Sequence, residues 1–205
     1  VYGTENQNFL NSLGYKTILV SEKSSVYDKN LLEHKLDVLS LGYQNFGEVL
    51  FLDWDIKLLK PLDHNFISNL KSPSMPIYSY PKEYHEYMKE DIEFIKQMKK
   101  YSWEWGDALV LPNASFMYVN DFDLGKELKE IHRRNNFHTL VDEFSFFVYC
   151  NCTMEEYIKK FNSVSLFGRS DTQMFRLNDD WVNTSSLLNS HISSTVDMDV
   201  YFEHY

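Results

Sequence analysis

The sequence predicts an α/β fold: a single domain with a mostly parallel central sheet flanked by helices. Three observations carry this expectation. Short apolar runs alternate with amphipathic stretches of helical length. One run, Glu48-Val49-Leu50-Phe51-Leu52, is apolar on both faces once past Glu48, as a central strand covered by helices must be. The chain has 205 residues and no Pro-, Gly- or Ser-rich linker to divide them, which fits one core better than two.

Residues 16–21 (KTILVS) read as a strand. Residues 28–42 read as a helix, with Leu32, Leu36, Leu39 and Tyr43 recurring at helical spacing. Asp28 is its expected N-cap and Gly42 its expected stop. Residues 48–52 follow as a strand, and Pro61 ends the segment after it. Residues 77–80 form a further strand. Residues 84–101 read as a helix with Tyr84, Met88, Ile95 and Met98 on one side. Two strands, 108–111 and 116–119, flank the turn Pro112-Asn113-Ala114. Residues 124–133 and 155–161 read as helices. Residues 141–149 fit a helix or a strand equally well by periodicity. The last third is rich in Ser and Asn, with strand signals near Val164 and over 196–202. The opening Val1-Tyr2-Gly3 resembles the end of a strand, as if residues before it had been lost or trimmed.

Composition excludes several function classes. The formal net charge is −10, so no basic face is expected for nucleic acid. An acidic chain can still bind an anionic nucleotide when a metal ion stands between them. No apolar run is long enough to cross a bilayer, and no signal peptide is visible. A soluble domain is expected, with the cytoplasm favoured and the compartment otherwise open. The two cysteines, Cys150 and Cys152, are too close and too few for a disulfide framework or a zinc site. The sequons at Asn113, Asn151 and Asn183 arise readily in an Asn- and Ser-rich chain. Aromatic residues make up 16%, a high share. Most of them are expected to fill the core, but Tyr and Trp also suit clefts for polar rings.

The chemistry concentrates at Asp53-Trp54-Asp55. In extended chain, residues i and i+2 point to one side. Both carboxylates would then face one cation, with Trp54 turned away to pack. Ligands of open α/β sheets bind beyond the carboxyl ends of strands, where this pair sits. Two adjacent carboxylates need a counter-charge, and oxygen-only ligands select Mn²⁺ or Mg²⁺. The alternative is that the two acids simply begin a turn.

Lys35-Leu36, Phe46 to Ile56 and Lys60-Pro61-Leu62 together resemble the donor-site segment of GT-A-fold glycosyltransferases, in particular the glycogenin-like and mannosyltransferase-like groups. The detailed match covers about a quarter of the chain. The resemblance implies a GT-A-like single domain over residues 1–205, with nucleotide-sugar binding over about 1–62 and the acceptor side over about 63–205. It implies that Asp53 and Asp55 hold Mn²⁺ (or Mg²⁺) and the donor diphosphate, with Trp54 between them and Lys35 near the donor phosphates or sugar. The donor would be a nucleotide-sugar, most simply a UDP-sugar. The acceptor would be a glycan or glycoprotein hydroxyl.

By the same resemblance, Asp142 or Glu143 reaches the active site, one of them as the base that takes the acceptor proton. Their other reading is a pair of acids favoured at a helix start. His191 would be a third metal ligand, although the Gly and Lys that usually accompany such a His are absent. Trp103 and Trp105 offer stacking faces for a sugar and Asp107 a hydroxyl partner, or else the tryptophans pack at a domain edge. Tyr2 and Thr4 are placed at the nucleotide by chain order. Two other readings stay open: a haloacid-dehalogenase-like phosphatase, which also sets Asp-Xaa-Asp after an apolar strand, and a non-catalytic carbohydrate-binding domain.

Overall fold

A computed structural model describes residues 4–14, 17, 31–62, 64–80, 82, 85–97, 103–105, 108–169, 172–177 and 200–204. In chain order the elements are α1 (Thr4–Ser12), α2 (Leu31–Phe46), β1 (Val49–Leu52), β2 (Ile56–Leu58), α3 (His64–Ser68), β3 (Ile77–Tyr80), α4 (Lys89–Gln97), β4 (Glu104–Trp105), β5 (Ala108–Pro112), β6 (Phe116–Val119), α5 (Leu124–Asn135), α6 (Val141–Cys150), α7 (Met154–Lys160), β7 (Val164–Arg169), β8 (Thr172–Leu177) and β9 (Val200–His204). The architecture is mixed α/β. Among the described residues no helix is long and apolar enough to cross a membrane.

β1 lies against β6, from Val49 opposite Val119 to Leu52 opposite Phe116. The Asp53 amide continues the ladder by donating to the Ser115 carbonyl at 3.0 Å. Side chains alternate across this ribbon. Val49, Phe51, Met117 and Val119 face a core built with Leu36 and Leu39 of α2, Leu124 and Leu128 of α5, and Phe144, Phe146 and Phe147 of α6. Leu50, Leu52, Phe116 and Tyr118 face a second core of Phe66, Leu70, Val164, Tyr201 and Phe202. The strand around residue 50 is therefore covered on both sides, as its composition requires.

The expected parallel pairing is not what the described strands make. Every ladder among them is antiparallel: β1 with β6, β3 and β4 with β5, and β2, β9, β8 and β7 in that order. The short connections explain part of this. β4 leads to β5, and β7 to β8, across two residues each, and a parallel crossover needs a dozen or more. The strand expected at 16–21 lies outside the described residues apart from Thr17.

Several boundaries are corrected. α2 runs past Gly42 to Phe46 and stops at Gly47, whose φ of 73° is the left-handed helix end that glycine favours. Gly42 serves close packing instead: a Cβ there would stand 3.0 Å from Val49 Cγ2. Asp28 lies outside the described residues. The helix expected over 84–101 is α4, limited to Lys89–Gln97 within the described residues. The ambiguous stretch 141–149 is helical and ends at Asn151 in the left-handed region. Thr4 opens helix α1 rather than closing a strand.

Candidate functional site

Three separated pieces of chain meet at one cluster of charge. α2 carries Lys35, the end of β1 carries Asp53, and the first turn of α6 carries Asp142 and Glu143. The Lys35 ammonium sits 2.8 and 2.9 Å from the two oxygens of Asp53 and 3.5 Å from Asp142 Oδ2. Asp142 is 1% exposed and Glu143 5%, whereas the side chains of Lys35 and Asp53 keep 24% and 18% of their surface in solvent. The cluster thus opens outward through Lys35 and Asp53 and closes inward through the α6 acids.

Hydrogen bonds set the orientation of each acid. Asp142 Oδ1 accepts the Glu143 amide at 3.0 Å, and Asp142 Oδ2 has the Lys35 ammonium as its neighbour and no hydrogen-bond partner. Both Glu143 oxygens are occupied. Oε2 accepts the Tyr80 hydroxyl at 2.5 Å, and Oε1 accepts the Ala114 amide at 3.1 Å. Asn113 donates to the Tyr80 hydroxyl at 3.4 Å. Asn113 is buried, so the sequon there is a structural part of the β5–β6 turn.

Three carboxyls and one ammonium cannot all be charged at low cost. Burial, then the charge of Asp142, lifts the Glu143 carboxyl to about 8, against the pull of its Tyr80 and Ala114 hydrogen bonds and of Lys35. Burial also raises Asp142, opposed by Lys35 and the Glu143 amide and reinforced by Asp53. For Lys35, burial works against the charge, yet Asp142, Asp53 and Glu143 together hold its pKa above the usual value. Burial and mutual repulsion thus favour a proton on the α6 acids, most of all on Glu143, while the surrounding carboxyls favour the charge on Lys35.

The Asp53-Trp54-Asp55 segment departs from the extended geometry. The Ile56 amide donates to the Asp53 carbonyl at 3.1 Å, closing a turn that joins β1 to β2. The same-side argument for i and i+2 therefore ends at Asp53. Trp54 sits at the turn apex, 94% exposed, rather than packed behind the acids. Asp53 and Asp55 still flank one turn and are hard oxygen donors of the kind Mn²⁺ or Mg²⁺ takes. Among the described residues no three His, Cys, Asp or Glu side chains are grouped as a ligand set. His191 lies outside those residues, as do Tyr2 and Asp107.

Trp103 is not a stacking platform. It is 2% exposed, its ring lies against Phe147 and Tyr157 with centroids 4.6 and 4.7 Å away, and its Nε1 donates to the Cys152 carbonyl at 3.1 Å. The Trp105 backbone pairs opposite Ala108. Thr4 is exposed on α1. Tyr80 is missing from the sequence-derived site. A signal for it exists, because it ends an apolar strand just as Asp53 follows one, but a lone Tyr does not announce a carboxylate partner 63 positions away.

No family model matches the chain, and neither curated proteins nor solved structures give a match to it.

Proposed function

We propose that this chain is a glycosyltransferase that moves a sugar from a nucleotide-sugar donor, a UDP-sugar in the simplest case, to an acceptor hydroxyl. The observation that carries the reading is the convergence of Lys35, Asp53, Asp142 and Glu143 in one partly open cluster. These residues come from distant parts of the chain: the donor-site resemblance singles out Lys35 and Asp53, and the order of elements in the same family singles out the pair Asp142 and Glu143. The GT-A arrangement belongs to the same proposal.

Each residue has a part in it. Asp53 and Asp55 would hold a divalent cation, which supplies charge neutralisation for the departing diphosphate. Lys35, already between two carboxylates, adds a positive charge at the mouth of the cluster, within reach of an anionic donor. Asp142 is the acid with an oxygen to spare, since Oδ2 lacks a hydrogen bond while both Glu143 oxygens are taken. Asp142 is accordingly assigned the acceptor proton, with Lys35 stabilising its ionised form. The exposed indole of Trp54, carried on the turn beside Asp53, offers a flat apolar face to a sugar ring or base.

Titration of UDP and other nucleotides with and without Mn²⁺ tests the reading. Wild type should bind in a metal-dependent way, and Asp55→Ala should weaken that binding by at least about tenfold, the loss of one charge-assisted contact. Absence of metal-dependent nucleotide binding in wild type removes the proposal. Turnover of a simple phosphomonoester, without any nucleotide-sugar, would point to the phosphatase alternative.

A further inference from the structure

The geometry points to Glu143 as a positioning residue: a buried latch, closed on Tyr80 and the Ala114 amide, that holds Asp142 against Lys35. This deepens the function proposed above and rests on it only where turnover is measured.

Helix α6 begins without a side-chain cap of its own, because its N-cap residue is Leu140. The chain just before it is tied to α4, where Asp91 accepts the amides of His138 and Thr139 and the Thr139 hydroxyl. The first turn itself is tied by Glu143. Its carboxyl leaves the helix and bonds at once to the end of β3, through Tyr80, and to the β5–β6 turn, through Ala114. A single carboxyl therefore fixes the start of α6 to two other pieces of the fold. Asp142 follows from this anchor. Its Oδ1 accepts the Glu143 amide, which turns Oδ2 toward Lys35.

Glu143 also lacks what a reacting acid needs. Both of its oxygens are already bonded within the protein, whereas Asp142 keeps Oδ2 free of hydrogen bonds. The groups facing it are Tyr80 on β3, Tyr157 on α7, Asp142 on its own helix and Lys35 on α2. With both oxygens held by Tyr80 and the Ala114 amide, the role left to Glu143 is mechanical. A glutamine keeps that role, because its oxygen accepts the Ala114 amide and its amide group meets the Tyr80 oxygen.

The test uses the full chain with nitrogen-15 lysine, in which an ammonium held in an ion pair gives a resolved NMR signal and a solvated one exchanges away. Lys35→Met assigns the Lys35 signal. Glu143→Gln should keep it, while Glu143→Ala and Tyr80→Phe should shift or lose it. An unchanged Lys35 signal in folded Glu143→Ala overturns the proposal. Should that variant fail to fold, an unchanged signal in Tyr80→Phe overturns it instead. With a nucleotide-sugar and Mn²⁺, Glu143→Gln should turn over within about threefold of wild type and Glu143→Ala at least about tenfold more slowly. A dead Glu143→Gln with an intact Lys35 signal would make Glu143 the reacting acid and also overturn the proposal. If wild type transfers no sugar at all, the functional reading fails alone, and the Lys35 signals still decide the latch.

Discussion

A proton stored on a buried carboxyl leaves a trace in stability. Glu143 is raised from 4.5 to about 8 in the folded chain. Between those values the unfolded carboxyl is ionised while the folded one keeps its proton, so the folded state binds more protons. Stability must then fall as pH rises from about 4.5 to 8 and level off above. Asp142 is raised as well and adds to the same slope. Lys35 acts elsewhere: its raised value supports the fold up to the ordinary lysine range and is lost only at higher pH. Glu143→Gln is neutral in both states and should show a flatter profile, its advantage over wild type growing with pH. Urea unfolding at several pH values between 5 and 9 measures this, and parallel profiles for the two proteins would contradict it. At this scale the sequence is informative where chemistry is local. Asp53 and Asp55 announce themselves by following an apolar strand, and Asp142 and Glu143 by standing together before aromatic residues. The sequence cannot rank the two α6 acids, because the ranking depends on Tyr80 and Ala114, which are near only in space. Nor can it place the tryptophans. Trp54 and Trp103 have the same side chain, yet one is 94% and the other 2% exposed, since exposure is decided by what packs around a residue.

Helix α5 crosses α2 at close range at Gly125. A Cβ on Gly125 would come within 2.3 Å of the Leu36 carbonyl oxygen and 2.5 Å of the Ser40 amide nitrogen. Both are backbone atoms of a helix and cannot swing aside. The crossing is pinned beside it by Asp123, the N-cap of α5, which accepts the Lys126 amide and also bonds Ser40 and Gln44 of α2. Gly125→Ala should therefore cost about 1–3 kcal/mol or more through forced separation of the helices, the range for overpacking. Thr153→Ala should cost only about 1 kcal/mol, because it removes one half of a capping box on the solvent side of α7. Thermal and urea unfolding of both variants gives the comparison, and a Gly125→Ala chain as stable as wild type would show that the crossing relaxes freely. Strong local patterns explain which elements are legible in the sequence. β3, β5, β6 and α5 fall close to their expected positions because their apolar periods are clean. The end of α2 is misplaced since two glycines compete for it: Gly47 takes the positive φ of a helix end, while Gly42 stays helical with Val49 packed beside it. Antiparallel pairing is missed because strand runs do not encode their partners.

Across the whole molecule the β1–β6 ribbon is the wall common to both cores, and this makes a specific demand on cooperativity. Met117 faces the core under α2, α5 and α6, while its neighbour Phe116 faces the core of Phe66, Tyr201 and Phe202. Both side chains are fully buried. Among the described residues the ribbon has two strands, with a bridge from Ser74 to Tyr118 on one edge, and a pair of that length is marginal in water without apolar cover. Loss of either core therefore strips one face of the ribbon and weakens the other core with it. Phe116→Ala and Met117→Ala, on opposite faces, should each destabilise by about 2–5 kcal/mol, the range for emptying a large buried site. More tellingly, each should lower a single transition. In a chain that keeps Trp103 and carries Trp54→Phe, Trp105→Phe and Trp181→Phe, fluorescence reports on the first core, where Trp103 lies against Phe147 and Tyr157, whereas far-ultraviolet circular dichroism follows helices and strands throughout. Coincident curves for Phe116→Ala are the expected result. If Trp103 kept its native signal while the dichroism fell, the two cores would be separable units. Asp53, at the end of the shared wall, would then belong to one core alone, and a charge cluster drawn from α2, β1 and α6 would depend on the first core without needing the second.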